Sequence, residues 1–222
     1  MNPINRRNAL KTTLLGTAAS LLAQATSQAK SEPTPTDIEG PFYPVTQQKD
    51  KDFDLTQVEG REVKAKGDVI TISGRVLNTD GQPIEDAMVE IWQANAVGRY
   101  AHPGDSSKLP LDPNFQGWAV VPSGKNGEFS FKTIKPGSYA AGRGRTRPPH
   151  IHLKVRKLDY QPLTTQMYFP EEKKLNESDT LLQRKTKAEQ AMMIAKAPKA
   201  AAYLYDIILA EIDAPNKAPQ QD

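Results

Sequence analysis

Cysteine is absent from this chain of 222 residues, which removes disulfide frameworks, thiol nucleophiles, thiolate zinc sites and cysteine-held iron–sulfur clusters together. Histidine is scarce, with only His102, His150 and His152, so a metal centre would have few imidazoles to draw on. No run of about eighteen apolar residues occurs, and no bilayer-spanning helix is expected. An excess of one charge is missing as well. The chain has 29 basic and 26 acidic residues, but Arg6, Arg7 and Lys11 precede the first acid, Glu32; without those three the balance is 26 to 26. A neutral surface argues against nucleic-acid binding through phosphate neutralisation. What is present, 37% hydrophobic and 25% charged residues, is globular composition, enough for one domain with a small appendage.

Residues 1–25 read as an address. A polar, positive start (Asn5, Arg6, Arg7, Asn8) leads into a modest apolar run over residues 9–22 and then Ala23-Gln24-Ala25, a secretory layout with an A-x-A cleavage site. Arg6-Arg7 followed by Leu10 and Lys11 resembles the bacterial twin-arginine signal, which exports folded proteins. An ordinary secretory signal or a basic tail is the plainer alternative. The expectation is a bacterial periplasmic or secreted protein, exported by the twin-arginine route.

Residues 26–66, rich in Pro, Thr, Gln and charge, read as an extended arm with one apolar island, Gly40-Pro41-Phe42-Tyr43-Pro44. From Val69 the pattern turns to strands. Residues 69–77 and 87–93 flank a turn at Asp80-Gly81 and read as a hairpin or sandwich corner. Further short runs follow at 127–133, 149–156 and 164–169, separated by Gly and Pro. Evenly spaced short strands indicate an all-β sandwich or barrel. Residues 179–195 have helix-forming composition, and residues 203–209 read as a closing strand or a helix end, with the strand preferred.

The chemistry gathers in Arg147-Pro148-Pro149-His150-Ile151-His152-Leu153-Lys154-Val155. Strand alternation puts His150 and His152 on one face and Ile151, Leu153 and Val155 on the other, so two imidazoles share one space. Neutral imidazole is the commonest metal ligand, yet His-x-His alone is more often a polar strand face. A two-histidine site needs further donors, and without cysteine these are carboxylates, phenolates and water. Tyr100 and Tyr139 both stand at loop starts, where functional groups collect. Phenolate suits a highly charged cation such as ferric iron; the plainer reading of either tyrosine is a core-edge aromatic. His102 reads as a loop residue, Trp92 and Trp118 as packing aromatics.

Several strings, in order, resemble the intradiol ring-cleavage dioxygenases, most of all their protocatechuate 3,4-dioxygenase branch. They are Gly40-Pro41-Phe42-Tyr43-Pro44, residues 89–95 leading to Gly98-Arg99-Tyr100, residues 111–115 followed by Gly117, and then 131–139, 147–152 and 165–169. The resemblance implies a non-haem Fe(III) held by Tyr100, Tyr139, His150 and His152, with Tyr139 and His152 axial and Tyr100 and His150 equatorial. It implies that Arg147 stabilises negative charge on the ring, that Gln166 lines the substrate side with Gly40 and Pro41, and that Tyr139 takes a substrate proton. The implied reaction cleaves a catechol with O2 between its hydroxyl-bearing carbons, giving a cis,cis-muconate. The implied fold is an all-β, prealbumin-like β-sandwich with long loops, an extended N-terminal arm and a short C-terminal helix. Its catalytic domain spans 67–213, before a polar tail at 214–222.

Some features depart from the family pattern. The stretch before the first core strand is too short for the helical domain of catechol 1,2-dioxygenases, and residues 140–146 lack the tryptophans associated with protocatechuate enzymes. Arg143 and Arg145 read equally as receptors for an anionic substituent or as solvated loop cations. Residues 74–89 also resemble non-catalytic prealbumin-like binding or spacer modules, the alternative to an enzyme. The expected partners are a small catechol and O2, with self-association favoured by sheet edges and the arm.

Overall fold

In the computed structural model of the protein, which describes residues 30–45, 50, 52–142 and 144–212, short strands form two main sheets that share one core. The signal expected over 1–25, the tail expected over 214–222 and Arg143 lie outside the described residues. Chain order is β1 (Val69–Asn78), β2 (Met88–Trp92), β3 (Trp118–Pro122), β4 (Glu128–Ile134), β5 (Tyr139–Ala140), β6 (Thr146–Arg147), β7 (His150–Arg156), β8 (Leu163–Tyr168), α1 (Lys173–Ser178), α2 (Lys187–Met193), β9 (Lys196–Lys199), β10 (Ala202–Leu204) and β11 (Ile207–Leu209). In the first sheet β4 runs antiparallel to β1 on one side. On the other, β10 and β11 run parallel to successive halves of β1, with β9 beyond β10. The second sheet, in order β3-β2-β7-β8, is antiparallel throughout. A small hairpin joins β5 to β6.

Asp80-Gly81 turns a corner between sheets, since β1 and β2 pair with different partners. Residues 203–209 supply strands and not a helix end, in keeping with their β-branched and aromatic content. The helical composition of 179–195 is realised only in pieces, a 3-10 turn at Leu182–Arg184 and then α2. Thr186 starts α2 afresh with a capping box to Glu189, which separates the two. Strand β3 was not foreseen: its inner face carries only Ala119 and Val121, and Pro122 closes it, so the apolar alternation is faint.

Strand β7 shows how the core positions the site. Ile151, Leu153 and Val155 are fully buried between the sheets, each stabilising by roughly 1.5–3 kcal/mol, and they pin the strand that holds His150 and His152 outward. The N-terminal arm crosses this outer face, tied by backbone donation from Thr34 to Ile208 (2.9 Å) and from Asp37 to Thr164 (2.7 Å). Leu55, within the stretch read as arm, is fully buried in the main core and donates its N–H to Lys132. Among the described residues no helix is long and apolar enough to cross a membrane.

Candidate metal centre

The outer face of the second sheet carries a row of residues set by register: Trp118, Trp92, His152 and Gln166 stand side by side on β3, β2, β7 and β8, and the next row places His150 beside Tyr168. Two loops bring tyrosines over this row. Asn95 builds the first, accepting from the N–H groups of Val97 (3.1 Å) and Arg99 (2.9 Å), and Asp105 fixes the Tyr100 N–H at 2.8 Å. Tyr139 opens the β5–β6 hairpin, paired with Arg147. The loops press together where only glycine fits. A Cβ on Gly98, at φ +83, would stand 2.1 Å from the Ser138 carbonyl oxygen, and Gly137 donates its N–H to the Asn95 carbonyl.

The four rings close a circuit. Centroid separations are 5.6 Å for Tyr100 and Tyr139, 5.6 Å for Tyr139 and His150, 4.9 Å for His150 and His152, and 6.2 Å for His152 and Tyr100. The arm covers it. Phe42 stacks on Tyr100 at 4.7 Å, and Gly40, at φ +77, lies so close that a Cβ would meet the His152 ring at 3.4 Å. On its other side His152 stacks on Trp92 at 4.8 Å and 9°.

This circuit is short of partners. His150 donates from Nδ1 to the Pro148 carbonyl (2.7 Å), which leaves its Nε2 as a lone pair, and that atom faces His152 Nε2 at 3.2 Å. The Tyr100 hydroxyl and His152 Nδ1 are buried without a hydrogen bond of acceptable geometry. Burial and Arg147 push His152 down to about 3, and burial, Arg147 and His152 hold His150 well below the usual imidazole range. Both rings are therefore neutral donors at physiological pH. Burial and the neighbouring Tyr139 push the Tyr100 phenol well above its ordinary value, and burial raises Tyr139 too, against the attraction of Arg147. Neither phenol ionises here without a cation. Two neutral imidazoles and two phenols gathered around one space form a donor set that a trivalent cation would complete, drawing off the phenolic protons. Among the described residues no group of three or more His, Asp or Glu gathers to hold a metal, so a metal in this place would need the tyrosines.

Beside the circuit lies a cleft of about 460 Å³, lined among others by Pro41, Phe42, Tyr139, Arg147 and Asp179. Arg147 is held from two sides: its Nε donates to Asp179 Oδ2 (2.6 Å), and its terminal nitrogen to Gln166 Oε1 (2.6 Å) and the Tyr168 hydroxyl (3.0 Å). Burial opposes its charge, but the facing phenols and Asp179 raise it above its ordinary value and keep it cationic.

The sequence-derived residues thus separate by position. Tyr100, Tyr139, His150 and His152 come together, and Arg147 and Pro41 line the cleft. Gly40 packs against His152. Gln166 is fully buried, its amide oxygen accepting from Arg147 and its amide nitrogen bonded to the Ile38 carbonyl. His102 stays in its loop, accepting at Nδ1 from Gly104 N–H. Asp179 was missed. Besides Arg147 it takes the N–H groups of Leu181 (3.0 Å) and Leu182 (2.8 Å) on Oδ1. Its signal was present as an aspartate opening a helix-forming stretch, the place of a cap.

Comparison with known proteins bears on this arrangement. The model of one protein family, described as Dioxygenase, matches residues 38–211. The protocatechuate 3,4-dioxygenase beta chain of Burkholderia cepacia is 38% identical over 174 residues, 73% of each chain. The 6-chlorohydroxyquinol 1,2-dioxygenase of Cupriavidus pinatubonensis is 33% identical over 117 residues, 47% of this chain and 41% of that one. The dioxygenase domain of a carbohydrate-binding fusion protein from Streptomyces sp. SirexAA-E superposes with a TM-score of 0.61 at 26% identity, covering 82% of this chain and all of that one.

Proposed function

The chain belongs to the intradiol ring-cleavage dioxygenases and is an enzyme of that class, and from this premise we propose that it uses non-haem Fe(III) and O2 to cut a catecholic ring between its hydroxyl-bearing carbons, releasing a cis,cis-muconate-type product. The observation that carries this reading is the closed circuit of Tyr100, Tyr139, His150 and His152, all but Tyr139 buried and with the Tyr100 hydroxyl unpartnered. Ferric iron held by these four would supply Lewis acidity, accepting a catecholate and activating it towards O2.

The residues of the chain divide the remaining work. Tyr139, which lines the cleft, would be ionised by the bound metal and is then placed to take a proton from an incoming diol at its phenolate oxygen, whereas Tyr100 is enclosed beneath Phe42. Arg147 presents a fixed cation at the cleft wall, where negative charge grows on the ring, and Asp179, Gln166 and Tyr168 hold its plane without needing to reorganise. Pro41 and Phe42 close the arm side against water. A non-catalytic prealbumin-like module would have no use for a buried, unsatisfied donor set of this kind.

The test is a visible spectrum of the purified mature protein with iron quantified, before and after anaerobic catechol and then with air. A tyrosinate-to-ferric band that shifts with catechol and bleaches with oxygen uptake is expected; iron-reconstituted protein that stays colourless overturns the reading. We further propose export by the twin-arginine route to the periplasm or beyond, so that Arg6→Lys with Arg7→Lys leaves the protein in the cytoplasm on fractionation. Self-association is proposed too, with sedimentation as its check.

A further inference from the structure

The cleft continues outward from Tyr139 and Arg147 to a rim that carries Arg145 and Arg184. Arg145 stands two residues before Arg147 on the same arm of the β5–β6 hairpin, its carbonyl accepting from Ala141 N–H at 2.9 Å. Residues so spaced on extended backbone share a face and lie about 7 Å apart. Arg184 comes from another segment, at the end of the 3-10 turn Leu182–Arg184 whose first N–H Asp179 holds.

The three arginines differ in how their charge is met. Arg147 is paired with Asp179 at 2.6 Å, whereas neither Arg145 nor Arg184 has an ion pair among the described residues. Among the described residues Asp179 is the only carboxylate on the cleft wall, and it is already engaged. The surplus is local, since basic and acidic residues balance over the rest of the chain beyond its first 25 residues. Two unpaired guanidiniums converging on a concavity focus potential on an anion, and their forked donors match a carboxylate. The cleft, at about 460 Å³, also lies in the size range of ligands larger than one ring.

Resting on the catechol-cleavage reading, we propose that Arg145 and Arg184 are specificity-determining residues, and that the substrate class is a catechol whose acidic group is carried off the ring on a short chain. The diol lies at Tyr139 and the anion at the rim. A carboxylate attached directly to the ring would stop near Arg147, whose Nε and one terminal nitrogen are already bonded to Asp179, Gln166 and Tyr168, and would not reach the unpaired pair beyond.

The experiment compares 3-(3,4-dihydroxyphenyl)propionate, its primary amide and 3,4-dihydroxybenzoate, using the iron-loaded full chain for turnover and calorimetric titration for binding. The acid is expected to exceed the amide in kcat/KM by about tenfold or more, the scale of a charge-assisted contact. In the Arg145→Gln/Arg184→Gln double variant that ratio falls to about one, through KM. Both side chains are exposed, so the melting temperature controls for folding. Equal handling of acid and amide by the unmodified protein overturns the proposal. So does a double variant that keeps the preference, or a preference for the ring-borne carboxylate. Protein that binds the acid over the amide through these arginines yet cleaves no catechol keeps the rim and refutes ring cleavage; cleavage without acid preference does the reverse.

Discussion

Two buried polar clusters stand on the outer face of the second sheet, and they are completed in opposite ways. Around Glu90 on β2 every strong group is answered: the carboxylate accepts from the Tyr43 hydroxyl (2.7 Å), Trp118 Nε1 (2.8 Å) and Arg156 (2.6 Å). Two residues along the same strand, Trp92 stacks on His152, and the cluster beyond leaves a phenol and an imidazole nitrogen unpartnered. Leaving a buried donor or acceptor unmet costs about 1–3 kcal/mol, so the second cluster is an expense the fold carries where the first is a gain. Neither buried polarity nor an unmet polar atom marks the site alone, since Tyr205 and Asn176 also carry one elsewhere; what sets this cluster apart is that its unmet groups sit on rings that converge.

Tyr100→Phe should break the comparison hardest. Iron and its visible band are lost with turnover, while the metal-free protein melts no lower than the parent, because an unmet hydroxyl has been removed. Next in size, Arg147→Gln should lower kcat about 10²–10³-fold with the iron band retained, the scale of one preorganised charge donor. Asp179→Asn should give a smaller fall in the same sense, because the guanidinium loses its anchor but stays in the cleft.

Glu90→Gln tests the other cluster. Its amide sets a donor against the donors of Tyr43 and Trp118, so about 1–3 kcal/mol of stability is lost in denaturant titration while iron content is unchanged. The mildest effect is on pH. The unfolded histidines titrate near 6.5 and the folded His150 and His152 lower, so the unfolded state binds more protons between those values. Metal-free protein should accordingly lose stability as pH falls below about 6.5, progressively towards about 3 for His152. A flat melting temperature over that range would show that the imidazoles are not enclosed.

Legibility differed along the chain for physical reasons. The His150/His152 face was readable because strand alternation is a local rule and Ile151, Leu153 and Val155 made the buried side unmistakable. Tyr100 and Tyr139 were readable as candidates through ordered motifs, but their meeting rests on loops locked at Gly98 and Gly137, a contact between segments some forty residues apart. Gln166 read as a cleft residue because its strand position is right; that its amide is spent on Arg147 and Ile38 depends on neighbours no spacing reveals. Asp179 sits in a stretch that composition could only describe as helical, and its service to Arg147 spans 32 residues.

By itself, then, the sequence determined the class of structure and the chemical alphabet of the site: short alternating strands, no thiols, two imidazoles on one strand face and tyrosines at loop starts. Those follow from backbone periodicity and residue chemistry, which are local. Tertiary structure alone decided which polar groups were answered and which were left open. Hydrogen-bond satisfaction is a property of the whole packed arrangement, and it separates the closed Glu90 cluster from the open circuit two residues away.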